Sequence, residues 1–352
     1  MRALTFRGVR TVRCETVPDP RLVDDGDAIV AVERAGLCGS DLHVWHGRAR
    51  GLDEGTILGH ELVGRVVEAG PAARRHPVGT RVVAPFSTCC GRCFYCARGM
   101  SARCTAGALF GWVEDGVGLP GAQAEFVRVP RADATLVAVD EDLPAELALL
   151  LTDVVPTGWN VARLGEVAAG DVVVVIGCGP IGLAAVVAAG ERGAAPVFAV
   201  DGVAERRALA ARFGAEPLAP GGGVAAAVLD ATEGRGTDAA LEAVGSPEAS
   251  RLAFDLVRPG GVVAIAGVHH EARFAFSPLE AYDKNLTLRI GRCPARSLMD
   301  ELKPLLRRRP ELASIVTHAR PLADGPAAYA MFDARADGCI KVAFDPREAV
   351  EP

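Results

Sequence analysis

Hydrophobic residues follow two different rhythms along this chain of 352 residues. Up to about residue 150 they come in short runs broken by turn formers. Ala28-Ile29-Val30-Ala31-Val32 follows a turn marked by Pro18, Pro20, Asp24, Asp25 and Gly26, and 62–70, 78–85 and 122–130 are further runs of this kind. Short β-branched runs bounded by Pro, Gly and Asp predict strands, so this part reads as an irregular, mostly antiparallel β region. The apolar stretch 144–151 then predicts a helix, expected to carry Asp153.

From Asp171 the rhythm changes. The β-branched run 171–176 is unbroken, as in a parallel strand buried on both faces. It leads into Gly177-Cys178-Gly179-Pro180-Ile181-Gly182 and then the helical stretch 183–191. A G-x-G-x-x-G between such a strand and helix is a dinucleotide signal. Gly177 permits the tight turn, Gly179 lets backbone approach a pyrophosphate, and Gly182 lets helix pack closely on strand. The anion is expected at the helix N-terminus, with Pro180 and Ile181 in its first turn. A second strand, 196–200, ends in Asp201, 24 positions after Gly177 and near the offset of a ribose 2′-hydroxyl acceptor. A carboxylate there repels a 2′-phosphate and favours NAD over NADP. Arg206 and Arg207 are expected to face solvent. Alternation continues through a helix at 204–213, a turn-rich loop at 217–223, a strand at 238–244, a helix from 247 and strands at 261–266 and 286–290. Strand and helix in turn predict an α/β doubly wound parallel sheet. A helix-like tail, 297–306, is expected to return to the N-terminal domain.

The chain is long for one core and fits two domains, and hydrophobic residues make up 50% of it. The net charge of −6 argues against nucleic-acid and anionic-membrane partners. Arg307-Arg308-Arg309 reads as a solvated helix end. No apolar stretch reaches the roughly 18 residues of a membrane span, and Met1–Arg7 lacks the apolar core of a signal peptide. Five of the ten cysteines lie between Cys89 and Cys104, a metal-binding pattern of a reducing, cytoplasmic setting.

Cys90, Cys93, Cys96 and Cys104 form C-x2-C-x2-C-x7-C, and four thiolates close the tetrahedral shell of a structural zinc. Cys89 precedes them as a bystander. A second donor set is spread along the chain: Cys38 in Gly36-Leu37-Cys38-Gly39-Ser40-Asp41-Leu42-His43, His60 in Gly59-His60-Glu61, and Asp153 as third ligand, with Glu146 as its alternative. Three protein ligands with one open position describe a catalytic zinc.

Taken together, G-L-C-G-S-D-x-H, G-H-E, the cysteine lobe and G-C-G-P-I-G, in that order, resemble the zinc-containing medium-chain dehydrogenase/reductase family of alcohol dehydrogenase type over essentially the whole chain. The resemblance implies a GroES-like catalytic domain over 1–155 and 291–352, with a structural-zinc lobe at about 89–105, and a Rossmann NAD-binding domain over 156–290. It implies Cys38 and His60 as constant ligands and Asp153 in the third slot. Glu61 matches the acid behind the metal, sometimes itself a ligand, and Asp41 the carboxylate that orients the histidine. Ser40 and His43 match a proton relay, and Thr157 a nicotinamide contact. The expected activity is hydride transfer between an alcohol or polyol and NAD, with two zinc ions per chain and a homo-oligomer, a tetramer rather than a dimer. A formaldehyde dehydrogenase or dismutase holding NAD tightly is the alternative.

Overall fold

The computed structural model describes residues 1–347. The described residues form two compact units, one of residues 1–153 and 294–347, the other of residues 154–293.

The first unit opens with the hairpin β1 (Arg2–Phe6) and β2 (Val12–Thr16), then the long strand β3 (Ala28–Leu37). A short helix α1 (Asp41–Trp45) follows, then β4 (Leu62–Ala69) and β5 (Arg81–Ala84). The strands β6 (Trp112–Glu114), β7 (Val117–Leu119) and β8 (Phe126–Val129) come next, then α2 (Ala132–Thr135), β9 (Val137–Ala138) and α3 (Ala145–Leu150). The apolar positions of 28–37 are buried over most of their length because β3 lies mid-sheet, antiparallel to both β4 and β8. Asp153 lies in the turn after α3, not on that helix as the apolar run suggested, because the helix stops at Leu150.

The second unit begins with α4 (Val154–Leu164) and continues β10 (Val173–Ile176), α5 (Pro180–Glu191), β11 (Val197–Val200), α6 (Ala204–Arg212) and β12 (Glu216–Leu218). It is completed by α7 (Gly222–Ala231), β13 (Thr237–Glu242), α8 (Pro247–Leu256), β14 (Val257–Ile265), α9 (Pro278–Asp283) and β15 (Thr287–Ile290). The six strands lie in the order β12-β11-β10-β13-β14-β15, all parallel. Strand order reverses between β10 and β13, the switch point beside which such sheets bind ligands. The expected loop at 217–223 is shorter than its turn formers suggested: only 219–221 are loop, between the end of edge strand β12 and the start of α7. Glycines at 221–223 hid that helix, whose Val224 and Val228 are buried against the sheet.

The chain then returns to the first unit with α10 (Ala295–Arg308), β16 (His318–Pro321), α11 (Gly325–Ala334) and β17 (Val342–Asp345). β17 pairs antiparallel with β3, Val342 opposite Leu37. This register carries Lys341 to the end of β3, where Cys38 begins. The arginine run ends α10 in ion pairs as well as solvent, with Arg307 bridging Asp140 and Asp142. Among the described residues no helix is long and apolar enough to cross a membrane.

Candidate metal and dinucleotide sites

Cys38, His60, Glu61 and Asp153 each offer one donor atom, and these atoms lie within 4.8 Å of one another. Cys38 Sγ is 3.6 Å from Asp153 Oδ2. Donors of one tetrahedral zinc stand roughly 3.5 Å apart at Zn–S of about 2.3 Å and Zn–N of about 2.0 Å. A soft thiolate, an imidazole and a carboxylate at such spacing fit zinc. Glu146 is outside this group and lies beside Arg34, 3.8 Å away.

The local backbone explains the convergence. β3 ends at Leu37, and the turn into α1 is held by Asp41 Oδ2, which accepts from the Cys38 backbone N–H at 2.9 Å. Gly36 N–H donates to Glu61 O at 3.0 Å, fastening the His60-Glu61 segment alongside. Asp41 Oδ1 lies 3.3 Å from His60 Nδ1, so Nε2 faces the sulfur. Burial works against a charged His60, but Asp41 and Cys38 outweigh it and raise its pKa well above the ordinary value. A field that holds a proton so firmly also favours a metal cation. Burial pushes the Cys38 thiol up, His60 opposing it, so that sulfur gives up its proton most readily to a metal.

Ser40 Oγ is 3.4 Å from His60 Nε2, at the edge of the donor set. His43 is partly buried on α1, its backbone N–H on Ser40 O at 3.0 Å, and it stands outside the donor cluster. Three further residues were not marked by motif. Gln123 Nε2 donates to Gly36 O (3.0 Å) and Asp41 Oδ2 (3.4 Å), and the buried Tyr329 hydroxyl donates to Gln123 Oε1 at 2.9 Å. Lys341, 1% exposed, donates through Nζ to Leu37 O (3.3 Å) and to Glu61 Oε1 (2.8 Å). A lysine inside the apolar run Cys339-Ile340-Lys341-Val342-Ala343-Phe344 was the available signal for the last of these.

Cys90, Cys93, Cys96 and Cys104 form a second cluster, again with donor atoms within 4.8 Å. Cys90 N–H points to Cys104 Sγ (3.2 Å) and Cys93 N–H to Cys90 Sγ (3.3 Å), the backbone pattern that stabilises thiolates. Cys89 is buried elsewhere, its Sγ on Ala134 O at 3.3 Å.

In the second unit, Gly177 has φ +90° at the end of β10, which favours glycine, and α5 starts with Pro180 in its first turn. A Cβ on Gly182 would stand 1.7 Å from the Gly177 carbonyl oxygen, so helix and strand meet there only through glycine. Asp201, after β11, accepts from Cys178 N–H (Oδ2, 2.7 Å) and Val203 N–H (Oδ1, 2.8 Å), tying the glycine loop to the second strand. The arginines do not face solvent as their helical spacing suggested. Arg206 has a side chain 13% exposed, with one guanidinium nitrogen 4.0 Å from Asp201 Oδ2, and Arg207 donates to Asp201 O at 2.7 Å. The carboxylate of Asp201 draws the first inward, and its carbonyl the second. Thr157 is buried on α4, beside Gly158, whose missing Cβ lets α4 cross α5 at Ala184. His269 binds Glu242 (3.2 Å) and Ser250 (3.3 Å), a structural role.

Residues 24–140 match the alcohol dehydrogenase GroES-like domain family and residues 180–307 the zinc-binding dehydrogenase family. A probable zinc-binding alcohol dehydrogenase of Mycobacterium tuberculosis is 39% identical over 98% of this chain and 89% of its own length. Zinc-type alcohol dehydrogenase B of Aspergillus flavus is 38% identical over 95% of this chain and 79% of its own. The solved structure of alcohol dehydrogenase TADH from Thermus sp. ATN1 superposes with a TM-score of 0.92 at 36% identity, covering 98% of this chain and 99% of that one. Nothing in these likenesses supports the formaldehyde dehydrogenase alternative, and it is set aside.

Proposed function

Since the chain belongs to the zinc-containing medium-chain dehydrogenase/reductase family and is an alcohol oxidoreductase with GroES-like and Rossmann folds, we propose that it interconverts a primary or secondary alcohol or polyol with the matching aldehyde or ketone, using NAD. The observation that carries this reading is the convergence of Cys38, His60 and Asp153. When bound, zinc supplies a Lewis acid that acidifies an alcohol and the dinucleotide supplies the hydride acceptor.

The residues divide the remaining work. Cys38, His60 and Asp153 hold the catalytic zinc, Glu61 stands behind it, and Asp41 fixes the His60 tautomer. Ser40, 3.4 Å from His60 Nε2, takes the alcohol proton at Oγ as its own hydroxyl proton leaves, and His43, three residues on, passes the released proton towards water. Cys90, Cys93, Cys96 and Cys104 hold a structural zinc. Gly177, Gly179, Pro180, Ile181 and Gly182 receive the pyrophosphate, Asp201 a ribose hydroxyl, and Thr157 the nicotinamide. Asp201 favours NAD, and the nearby Arg206 tempers that preference. The thiol pattern suits the cytoplasm, and by analogy with bacterial relatives the assembly is a tetramer.

A screen of alcohols and carbonyls, followed by NADH absorbance, tests the activity. Metal analysis is expected to give about two zinc ions per chain. Asp153→Ala should keep the structural zinc and lose activity; an active Asp153→Ala enzyme removes the site assignment.

A further inference from the structure

Glu61 and Lys341 are a charged pair sealed inside the protein, 0% and 1% exposed. A buried ion pair contributes little net stability over well-packed apolar residues, so its presence calls for another reason. The surroundings supply one. Cys38 and Asp153, as thiolate and carboxylate, balance the charge of a divalent ion. Glu61 is a third negative group whose donor atom lies within 4.8 Å of theirs. Its Oε1 accepts a hydrogen bond from Lys341 Nζ. Its Oε2 lies 2.7 Å from that nitrogen but accepts no hydrogen bond, although it is buried. The same carboxylate rests against Gly36, where a Cβ would come 2.1 Å from Oε2. The carboxylate therefore sits in a socket lined by an ammonium and by a missing side chain.

We propose that Lys341 and Gly36 together hold Glu61 back from the metal, so that the fourth coordination position stays open for substrate. Lys341 is a positioning residue: it neutralises the carboxylate and competes with zinc for it. Without the ammonium, the cation that remains within reach is the metal, and Glu61 closes the shell as a fourth protein ligand. Zinc is then held more tightly and the enzyme works less well. A structural lysine predicts the opposite, because breaking a buried pair loosens the site around it.

This inference rests on Cys38, His60 and Asp153 being the ligands, and the experiment separates the two. The purified holoenzyme is compared with Lys341→Met for zinc release to a chelator, for kcat, and, after exchange of Co(II) into this site, for the visible-band shift on adding imidazole. Loss of an outer-shell partner costs about 10- to 100-fold in metal affinity or activity. In Lys341→Met that cost is expected in kcat, while zinc release becomes slower than in the wild type, and imidazole should no longer shift the Co(II) bands. Gly36→Ala, whose methyl group takes the space the same carboxylate occupies without stranding a charge, should behave alike and covers the case in which Lys341→Met fails to fold. Lys341→Met combined with Glu61→Gln should restore the imidazole response and part of kcat. Zinc lost as fast as from the wild type or faster, or an undiminished imidazole shift, in whichever variant folds, overturns the proposal. If Asp153→Ala also keeps its full zinc and activity, the fault lies in the site reading itself.

Discussion

Replacing Asp41 by Asn changes no volume and reverses one hydrogen bond. Asp41 Oδ2 receives two donors, Cys38 N–H at 2.9 Å and Gln123 Nε2 at 3.4 Å, and Oδ1 faces His60 Nδ1 at 3.3 Å. An asparagine must keep its carbonyl oxygen on the side with two donors, which turns its NH₂ group towards His60. Nδ1 then has to accept, and the ring proton moves to Nε2, the nitrogen needed for the metal. The variant loses a charge-assisted hydrogen bond, worth about 1.5–3 kcal/mol. At about 1.4 kcal/mol per tenfold, zinc affinity at this site should fall roughly 10- to 150-fold. The assay is zinc content at graded free zinc, with the four-cysteine lobe as internal reference. Asp41→Asn should lose one zinc in the range where the wild type keeps two, and recover activity on adding zinc. Wild-type affinity in the variant would refute the tautomer argument.

Other residues give sharper local tests. Gly182→Ala places a methyl group against the Gly177 carbonyl. Such overpacking costs about 1–3 kcal/mol, and should appear as a lower melting temperature together with weakened NAD binding. In the metal-free lobe, backbone N–H groups of Cys96 and Thr105 bring the Cys93 thiol down to about 5, while burial and the neighbouring thiols push Cys96 up to about 12. At pH 6 the first is a thiolate and the second a thiol, so after zinc is chelated iodoacetamide should label Cys93 ahead of Cys96 by peptide mass spectrometry. Equal labelling would contradict this assignment. Arg206→Ala removes the cation 4.0 Å from Asp201 and should weaken NADP binding more than NAD binding in a fluorescence titration. A wild type that prefers NADP would contradict the role given to Asp201.

The dinucleotide half of this protein was written locally. An unbroken β-branched run, three glycines at fixed spacing and an acid after the next strand are neighbours in sequence, so strand, turn and helix at 173–191 follow from nearest-neighbour physics. The cysteine lobe was equally local, its four sulfurs lying within fifteen positions. Legibility failed where local signals conflicted with packing. Glycines masked α7, and helical spacing sent Arg206 to solvent although Asp201 draws it inward.

The metal centre marks the division most clearly. Residue types and the motifs they share with the zinc-containing family nominated Cys38, His60 and Asp153, with Glu146 left open as the third ligand, because sulfur, imidazole and carboxylate are the groups zinc selects. Their meeting, and the company they keep, depended on tertiary structure. Tyr329 reaches Asp41 through Gln123, and Lys341 reaches Glu61 from 280 residues away, because β17 pairs with β3 and α11 packs in the same unit. A sequence specifies which groups have the chemistry, since that belongs to each side chain. Which buried charge answers which is set by strand register, a property of long-range pairing that no single segment contains.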